Sequence, residues 1–262
     1  MSTRGSGLCL SCQASFMKIT IVIPTFNEAG SLKQTLGDLQ KVIAERPAHE
    51  VTILVFDSHS TDQTVEVVRA LQQQFANIHL LCEPQKSGLG SAYLQAMTYA
   101  WSVLQAELIF EFDADGSHQP QFILPMIDAI EQGHDVALGS RYVKGGRVQV
   151  GWPWYRRLVS QGGNYVARFF LTPRYKDFTS GFRATRAEFL QQALVGGLLS
   201  KNYAYKIHLL WRLHQLQAKI MEVPIVFIDR EAGYSKFPKN NILESLKVVL
   251  ILRLQAWAKK CV

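Results

Sequence analysis

The chain has 262 residues, 48% hydrophobic and 19% charged, which describes a globular protein able to bury a sizeable core and excludes a disordered one. Its formal charge of +7 is unevenly placed: residues 1–140 hold 7 basic and 15 acidic groups, a balance of −8, whereas residues 141–262 hold 21 and 6, a balance of +15. Such asymmetry points to an anionic partner, whether nucleic acid, a phosphorylated substrate or lipid headgroups.

Residues 1–16 lack the long apolar stretch of a signal peptide, and Met17, directly before a strong strand, is a candidate start. The segment therefore reads as an unstructured leader that need not be native. Four cysteines (Cys9, Cys12, Cys82 and Cys261) make no disulfide framework in a chain this long, which sets a reducing compartment as the default. Cys9 and Cys12 have the spacing of half a zinc site, but no second pair follows at a suitable distance. Residues 18–23 read as a buried strand stopped by Pro24, after which Asn27 and Glu28 open a helix through Leu32, Leu36 and Leu39. A second strand at 51–56 leads through a polar turn to a helix at 65–75. A short third strand at 78–81 leads through a glycine-containing loop to a helix at 89–104. A fourth strand at 108–112 precedes a helix near 122–130 and a fifth strand at 136–138. This alternation predicts an α/β fold, a mostly parallel sheet flanked by helices. Beyond residue 141, glycine, arginine and tryptophan occupy loops, followed by helices and a strand at 222–229. The longest apolar candidate for a membrane span, 248–252, is flanked by Lys247 and Arg253 and falls far short of the roughly 20 residues required, so any membrane association is expected to be peripheral.

In such sheets ligands bind beyond the carboxyl ends of the strands. Three polar clusters fall there, at 24–28, 57–62 and 113–117. Neither a GxGxxG run after the first strand nor a P-loop pattern is present, which weakens dinucleotide and P-loop readings. Asp113 and Asp115 are the sharpest feature. Two residues apart on extended backbone, they point the same way at the ligand edge of the sheet. Hard carboxylate oxygens suit Mg²⁺ or Mn²⁺, ions that commonly bridge to phosphate. Taken alone, the pair also fits a polar turn closing a strand; the buried strand before it and the acids at the other two strand ends favour the metal. The stretch 141–186 carries ten basic residues against one acid, Asp177.

Residues 22–28 (Val-Ile-Pro-Thr-Phe-Asn-Glu), 57–62 (Asp-Ser-His-Ser-Thr-Asp) and 112–115 (Phe-Asp-Ala-Asp) together resemble family 2 glycosyltransferases of the GT-A-type nucleotide-sugar-binding fold. Residues 86–93, 139–146, 179–183 and 229–236 are similar to motifs of the dolichol-phosphate (polyprenol-phosphate) mannose synthases, and the resemblance runs from about residue 18 to the C-terminal helix. It implies a catalytic domain over 17–240 and a C-terminal amphipathic helix over 241–262. Carried over by motif, Pro24, Phe26, Glu28, Phe56 and Ser58 would hold the nucleotide, with Asp113, Ala114, Asp115 and Ser117 at its diphosphate and Asp113 and Asp115 binding Mg²⁺ or Mn²⁺. Arg141, Arg230 and Lys236 would join the two aspartates as the catalytic set, facing phosphates, and Arg141, Arg156, Arg157, Ser160 and Lys236 would take the acceptor phosphate. The chain also departs from the family pattern. Two adjacent aspartates are usual where it has Asp57-Ser58, glycine is usual at His59, and tyrosine at Phe26.

The implied reaction moves mannose from GDP-mannose to a polyprenyl phosphate at the cytoplasmic face of a membrane. A phosphate monoester, with a second pKa of about 6, is already largely ionised near neutral pH and attacks without a strong general base. In-line displacement would invert an α-linked donor to a β-linked product. Asp177 either orients a sugar hydroxyl or an arginine, or pairs with Arg174 or Lys176. The same transfer with glucose or an N-acetylhexosamine is the nearest alternative; glucose-transferring relatives generally carry C-terminal membrane spans, which favours mannose.

Residues 155–171 mix Tyr155, Leu158, Val159, Val166, Phe169 and Phe170 with Arg156, Arg157 and Arg168, next to Trp152 and Trp154. That composition suits either an interfacial helix on anionic lipid or a helix packed on the catalytic domain with its arginines outward. Residues 242–257 pose the same choice between a membrane anchor or partner helix and core packing. A small membrane subunit serves as anchor in some members of the family and is a further candidate partner. No helix-turn-helix, RNA-recognition or zinc-finger signature accompanies the basic half, so nucleic acid is not expected, and the intact Asp113/Asp115 pair argues against a non-catalytic subunit.

Overall fold

The apolar runs that end in polar turns become strands, and the periodic segments between them become helices. The computed structural model describes residues 16–148, 154–228 and 239–258, the side chains of 154–156, 239 and 240 excepted. Arg230, Lys236 and residues 1–15 of the expected leader lie outside the described residues, as does the Arg156 side chain. In chain order the strands are β1 (Lys18–Thr25), β2 (Glu50–Asp57), β3 (Ile78–Cys82), β4 (Leu108–Glu111), β5 (Val136–Ser140), β6 (Arg147–Val148), β7 (Arg183–Arg186), β8 (Ile220–Pro224) and β9 (Val226–Phe227). The helices are α1 (Ala29–Ala44), α2 (Thr64–Gln72), α3 (Leu89–Ser102), α4 (Ile123–Glu131), α5 (Trp154–Phe170), α6 (Ala187–Ala193), α7 (Tyr205–Gln215) and α8 (Lys239–Ala258).

Seven strands form one sheet in the order β3-β2-β1-β4-β7-β5-β8, and β6 pairs with β9 beside it. β1, β2, β3 and β4 run parallel, as do β5 and β8, while β7 is inserted antiparallel between β4 and β5. Both faces of the sheet are covered, and the period-2 alternation of the strands sorts their side chains between two cores. Ile19, Ile21 and Ile23 of β1 and Ile53 and Val55 of β2 face α1, α2 and α4, meeting Leu36, Val68 and Met126. Their alternates Val22, Leu54 and Phe56 face α3, α6 and α7, meeting Tyr93, Leu190 and Leu209. The strand order reverses between β1 and β4, the topological position at which open α/β sheets leave a crevice for ligand.

β7 carries the sequence Arg-Ala-Thr-Arg, which reads as a basic loop. Its Arg183 is fully buried, because Glu111 of β4 accepts its Nε–H at 2.6 Å, and Tyr205 of α7 donates to the other Glu111 oxygen at 2.8 Å. A carboxylate supplied from 72 residues away makes a strand of a segment that local composition does not mark as one. The expected strand at 222–229 is divided at Ile225: its first part pairs with β5 in the main sheet and its second with β6.

A third cluster joins α5, α7 and α8, where Leu171, Ile207, Leu210, Val248, Val249 and Leu252 pack together. Burial of Val248, Val249 and Leu252 contributes about 1.5–3 kcal/mol each, so α8 is held as part of the fold. The opposite face of the same helix, half a turn round, carries the exposed Leu243, Leu246, Leu250, Leu254 and Trp257 at spacings of 3 and 4. Thus α8 is apolar on two sides, one packed and one in solvent.

Candidate active site

Beyond the ends of β1 and β2, two loops are stitched together by their own polar side chains. Asn27 and His59 both adopt left-handed backbone, with φ of 58° and 62°. Asparagine tolerates this conformation; a histidine there carries a strain that glycine would not. Asp57 accepts hydrogen bonds from Thr25 Oγ1 (3.0 Å) and the Ser60 amide (2.9 Å), and Asp62 accepts from the Ala29 amide (3.2 Å) at the start of α1. These two acids shape the loops. Phe26 is left at the rim, 37% exposed, with the Lys86 ammonium 3.3 Å from its ring centroid. Gly88, at φ 107° with the Lys201 carbonyl 2.5 Å from where a Cβ would sit, lets this loop pass close to residues 200–202 before α3 begins.

Beyond β4, the chain turns sharply through Gly116 (φ 75°). The Asp115 carboxylate accepts from the Ser117 amide (3.0 Å), and Thr35 of α1 holds the Ala114 carbonyl (3.1 Å). Asp113 is aimed by two buried groups. The fully buried Tyr93 of α3 donates to its carboxylate at 3.3 Å, and His118 Nε2 lies 3.4 Å from the other oxygen. His118 Nδ1 accepts the Asp113 backbone N–H at 3.0 Å, which places the ring proton on Nε2, facing the carboxylate. Burial depresses the His118 pKa, opposed by Asp113 and reinforced by Lys206 and Arg141, so this ring stays neutral at physiological pH. It is stacked on Phe182, with centroids 4.8 Å apart, which fixes its plane.

The facing wall is built on one buried ion pair. Arg141 follows β5 and forms a two-pronged pair with Asp177, Nε to Oδ2 and Nη2 to Oδ1, both 2.7 Å, while Nη2 also donates to Thr179 Oγ1 (2.7 Å). Asn164 of α5 donates to Thr179 and accepts the Phe178 amide, tying the helix to this loop. Burial alone would raise the Asp177 pKa; the Arg141 charge and its hydrogen bonds outweigh it and hold the carboxyl below its usual value, while Arg141 is correspondingly raised. Of the roles open to Asp177, the structure shows it orienting an arginine.

Between these walls lies a cleft of about 710 Å³. Its polar end is lined by Pro24, Phe26, Glu28, Ser58, Asp113, Ala114, Asp115, Ser117, Arg141 and Ser160, which brings together most of the residues singled out from the sequence. Phe56 stands apart, packed in the core beneath α3, and Arg157 is exposed outside the cleft lining. The other end is largely apolar: Val159 and Val166 of α5, Ile207 of α7, and Ile242, Leu246 and Val249 of α8, with Asn241 and Ser245 of α8 beside them. Sequence reasoning missed Tyr93 and His118, which act on Asp113 through tertiary contact, and Lys206, a buried cation within an apolar stretch of α7. Nor does every arginine of the basic stretch face an anion site, since Arg183 pairs with Glu111 and Arg186 donates to the backbone carbonyls of Ile130 and His134.

The donor set fits a hard divalent cation. Asp113 and Asp115 present carboxylate oxygen at the cleft, and the buried Ser117 hydroxyl has no hydrogen-bond partner among the described residues. No group of three His, Cys, Asp or Glu side chains among the described residues is arranged to hold an ion, so an ion at Asp113 and Asp115 would need further ligands from outside this set, such as phosphate oxygens or water.

The sequence matches the family described as Glycosyl transferase family 2 over residues 20–194. It is 37% identical over 232 residues to polyprenol monophosphomannose synthase of Mycolicibacterium smegmatis, covering 86% of this chain and 83% of that protein. It is 35% identical over 231 residues to undecaprenyl-phosphate mannosyltransferase of Micrococcus luteus, covering 88% and 91%. Among solved structures, glucosyl-3-phosphoglycerate synthase of Mycobacterium tuberculosis, in complex with Mn²⁺, UDP-glucose and glycerol 3-phosphate, superposes with a TM-score of 0.65 at 17% identity, over 90% of this chain and 80% of that one. The fold is thus that of the GT-A nucleotide-sugar enzymes. With a match that spans most of the catalytic sheet and relatives of this identity over most of their length, the chain belongs to glycosyltransferase family 2, in its polyprenyl-phosphate mannose synthase group.

Proposed function

We propose that this protein transfers mannose from GDP-mannose to a polyprenyl phosphate of the dolichyl type, with inversion at the anomeric carbon, at the cytoplasmic face of a membrane. The observation that carries the reading is the two-ended cleft, carboxylates and Arg141 at one end and the apolar side chains of α5, α7 and α8 at the other. A soluble sugar acceptor would have no use for the second end; a lipid phosphate needs both. The nucleotide lies along Pro24, Phe26, Glu28 and Ser58, and the uncharged Ser58, where family members usually have aspartate, hydrogen-bonds ribose or base. Asp113, Asp115 and Ser117 would hold Mg²⁺ or Mn²⁺, an ion that neutralises a diphosphate leaving group when bound. Arg141, locked by Asp177, keeps both Nη1 N–H donors for phosphate, and Ser160 shares the cleft lining with it; Arg156, Arg230 and Lys236 would join the acceptor and leaving-group environment by their motif positions, whereas Arg157 stays outside it. The acceptor phosphate is its own nucleophile, so the protein supplies alignment and charge neutralisation. Residues 17–240 form the catalytic unit in this scheme and 241–262 its lipid-side helix. The test is a panel of nucleotide sugars offered with undecaprenyl and dolichyl phosphates in the presence of Mn²⁺. Transfer from GDP-mannose, giving a β-linked product, is expected to exceed that from UDP-glucose or UDP-N-acetylglucosamine; absence of transfer from every donor refutes the reading.

Access to such an acceptor requires a lipid surface, and no helix among the described residues is long and apolar enough to cross a membrane. The candidate contact is the apolar row of α8 together with Leu158, Tyr165 and Phe169 of α5, which packs on α8; Phe169 is 84% exposed. Arg157, Lys247 and Arg253 stand exposed beside these rows, as an interfacial helix on anionic lipid requires. The double substitution Leu254→Asp and Trp257→Asp is expected to reduce co-sedimentation with phosphatidylcholine–phosphatidylglycerol vesicles about tenfold or more, without lowering the melting temperature, because both side chains are already in solvent. Unchanged co-sedimentation would remove α8 from the membrane contact.

A further inference from the structure

Three cations line the cleft among the described residues: Lys86, Arg141 and Lys206. Lys86 sits at the rim over Phe26, and Arg141 is neutralised by Asp177. Lys206 differs from both. It is 7% exposed, on α7, whose residues from Tyr205 to Trp211 are all buried. Its ammonium rests on bare backbone: a Cβ built on Gly181 would lie 2.1 Å from Nζ, so glycine is what leaves room for it. Its one described contact is the face of Tyr203, 5.4 Å away, which attracts a cation without neutralising it. No carboxylate pairs with Lys206 among the described residues. The ammonium opens on the cleft with no carboxylate paired to it, so its N–H donors are available to an arriving anion.

We propose that Lys206 binds the phosphate of the lipid acceptor. The proposal rests on the reading of the site given above and adds a residue that the sequence motifs do not mark. Position favours the acceptor over the donor diphosphate. Ile207, the next residue, belongs to the apolar wall with Ile242 and Val249 of α8, so an amphiphile whose chain lies on that wall brings its headgroup to Lys206. The donor diphosphate is instead claimed by the Asp113/Asp115 turn through its cation.

The test uses the full chain with Lys206→Gln and Lys206→Met, and with Gly181→Ala, whose methyl group would displace the ammonium. Farnesyl phosphate and farnesol serve as probes, with binding followed calorimetrically in the absence of donor. The wild-type protein is expected to prefer the phosphate, and both lysine variants to lose about tenfold or more of that preference, the usual scale for a charge-assisted hydrogen bond. In turnover, KM for the acceptor is expected to rise by a similar factor while KM for GDP-mannose stays within about twofold. Gly181→Ala should reproduce the effect. The melting temperature of Lys206→Met should not fall, since the substitution breaks no ion pair or hydrogen bond among the described residues, whereas a purely structural lysine would leave the variant less stable. A phosphate preference unchanged in both lysine variants, or a rise in donor KM in place of acceptor KM, overturns the assignment. If the wild-type protein itself binds farnesyl phosphate no better than farnesol, the lipid-phosphate reading fails first.

Discussion

Asp115→Ala is expected to lower kcat/KM for sugar transfer by about a thousandfold or more, the scale on which loss of charge stabilisation at a leaving group is felt. At the turn after β4 the chain offers two carboxylates, Asp113 and Asp115, and the Ser117 hydroxyl, so removing one carboxylate would take a large share of what the protein contributes to an ion that also grips a diphosphate. The fold should tolerate the change. Asp115 is only partly buried, and its bond to the Ser117 amide is worth about 1 kcal/mol, or a shift in melting temperature of roughly 2–4 °C. Asp115→Asn separates the two roles, because its amide oxygen still accepts that N–H while the charge is gone. Initial rates measured across a range of Mn²⁺ and Mg²⁺ concentrations, with EDTA as the zero point, decide the matter. Either variant keeping more than about a tenth of wild-type activity at every ion concentration would show that Asp115 is not a required ligand. The same count predicts that ion affinity rises when GDP is present, since the nucleotide supplies the missing oxygens.

The parts of this molecule that could be read from its sequence are those whose cause is local. Buried parallel strands are near-continuous apolar runs, so their ends, and with them residues 24–28, 57–62 and 113–117, stand out as abrupt changes of polarity. The alternation of Ile19, Ile21 and Ile23 with Thr20 and Val22 needs no partner to be recognised. β7 is the opposite case: Arg183 becomes strand core only because Glu111, from another part of the chain, meets it. His118 and Tyr93 are equally illegible, because each works by touching Asp113 across the fold. The sorting of the basic residues was hidden for the same reason. A run of arginines shows its charge but not its partners, and Arg141, Arg183 and Arg186 each find a different one. α8 shows a subtler limit. Val248, Val249 and Leu252 lie on one side and Leu243, Leu250, Leu254 and Trp257 on the other, so a pattern that looks merely apolar encodes one packed surface and one left in solvent.

Asp177→Ala should damage the fold severely, with an expected loss of about 3–5 kcal/mol of stability. The carboxylate is fully buried and receives two 2.7 Å bonds from Arg141 as well as the Arg141 backbone amide at 3.1 Å. Its removal leaves a guanidinium buried without its counter-charge and frees the loop that carries Thr179 and, through Asn164, the contact with α5. For a chain of this size the loss corresponds to a fall in melting temperature of roughly 10 °C. Activity should fall with it even at temperatures where the variant is folded, because Arg141 then has no fixed direction. The pH dependence gives a separate check. The native Asp177 pKa is depressed, so its contribution is complete above the ordinary carboxylate value near 4 and fades as pH falls through the lower native value. The stability gap between wild type and Asp177→Asn, a variant of nearly the same shape, should therefore be constant around neutrality and narrow only in acid. Urea titrations at a series of pH values measure that gap. A gap that is absent at neutral pH, or that widens on acidification, would mean that Arg141 is held in place by its hydrogen bond to Thr179 and by packing against Phe227, and not by the Asp177 charge.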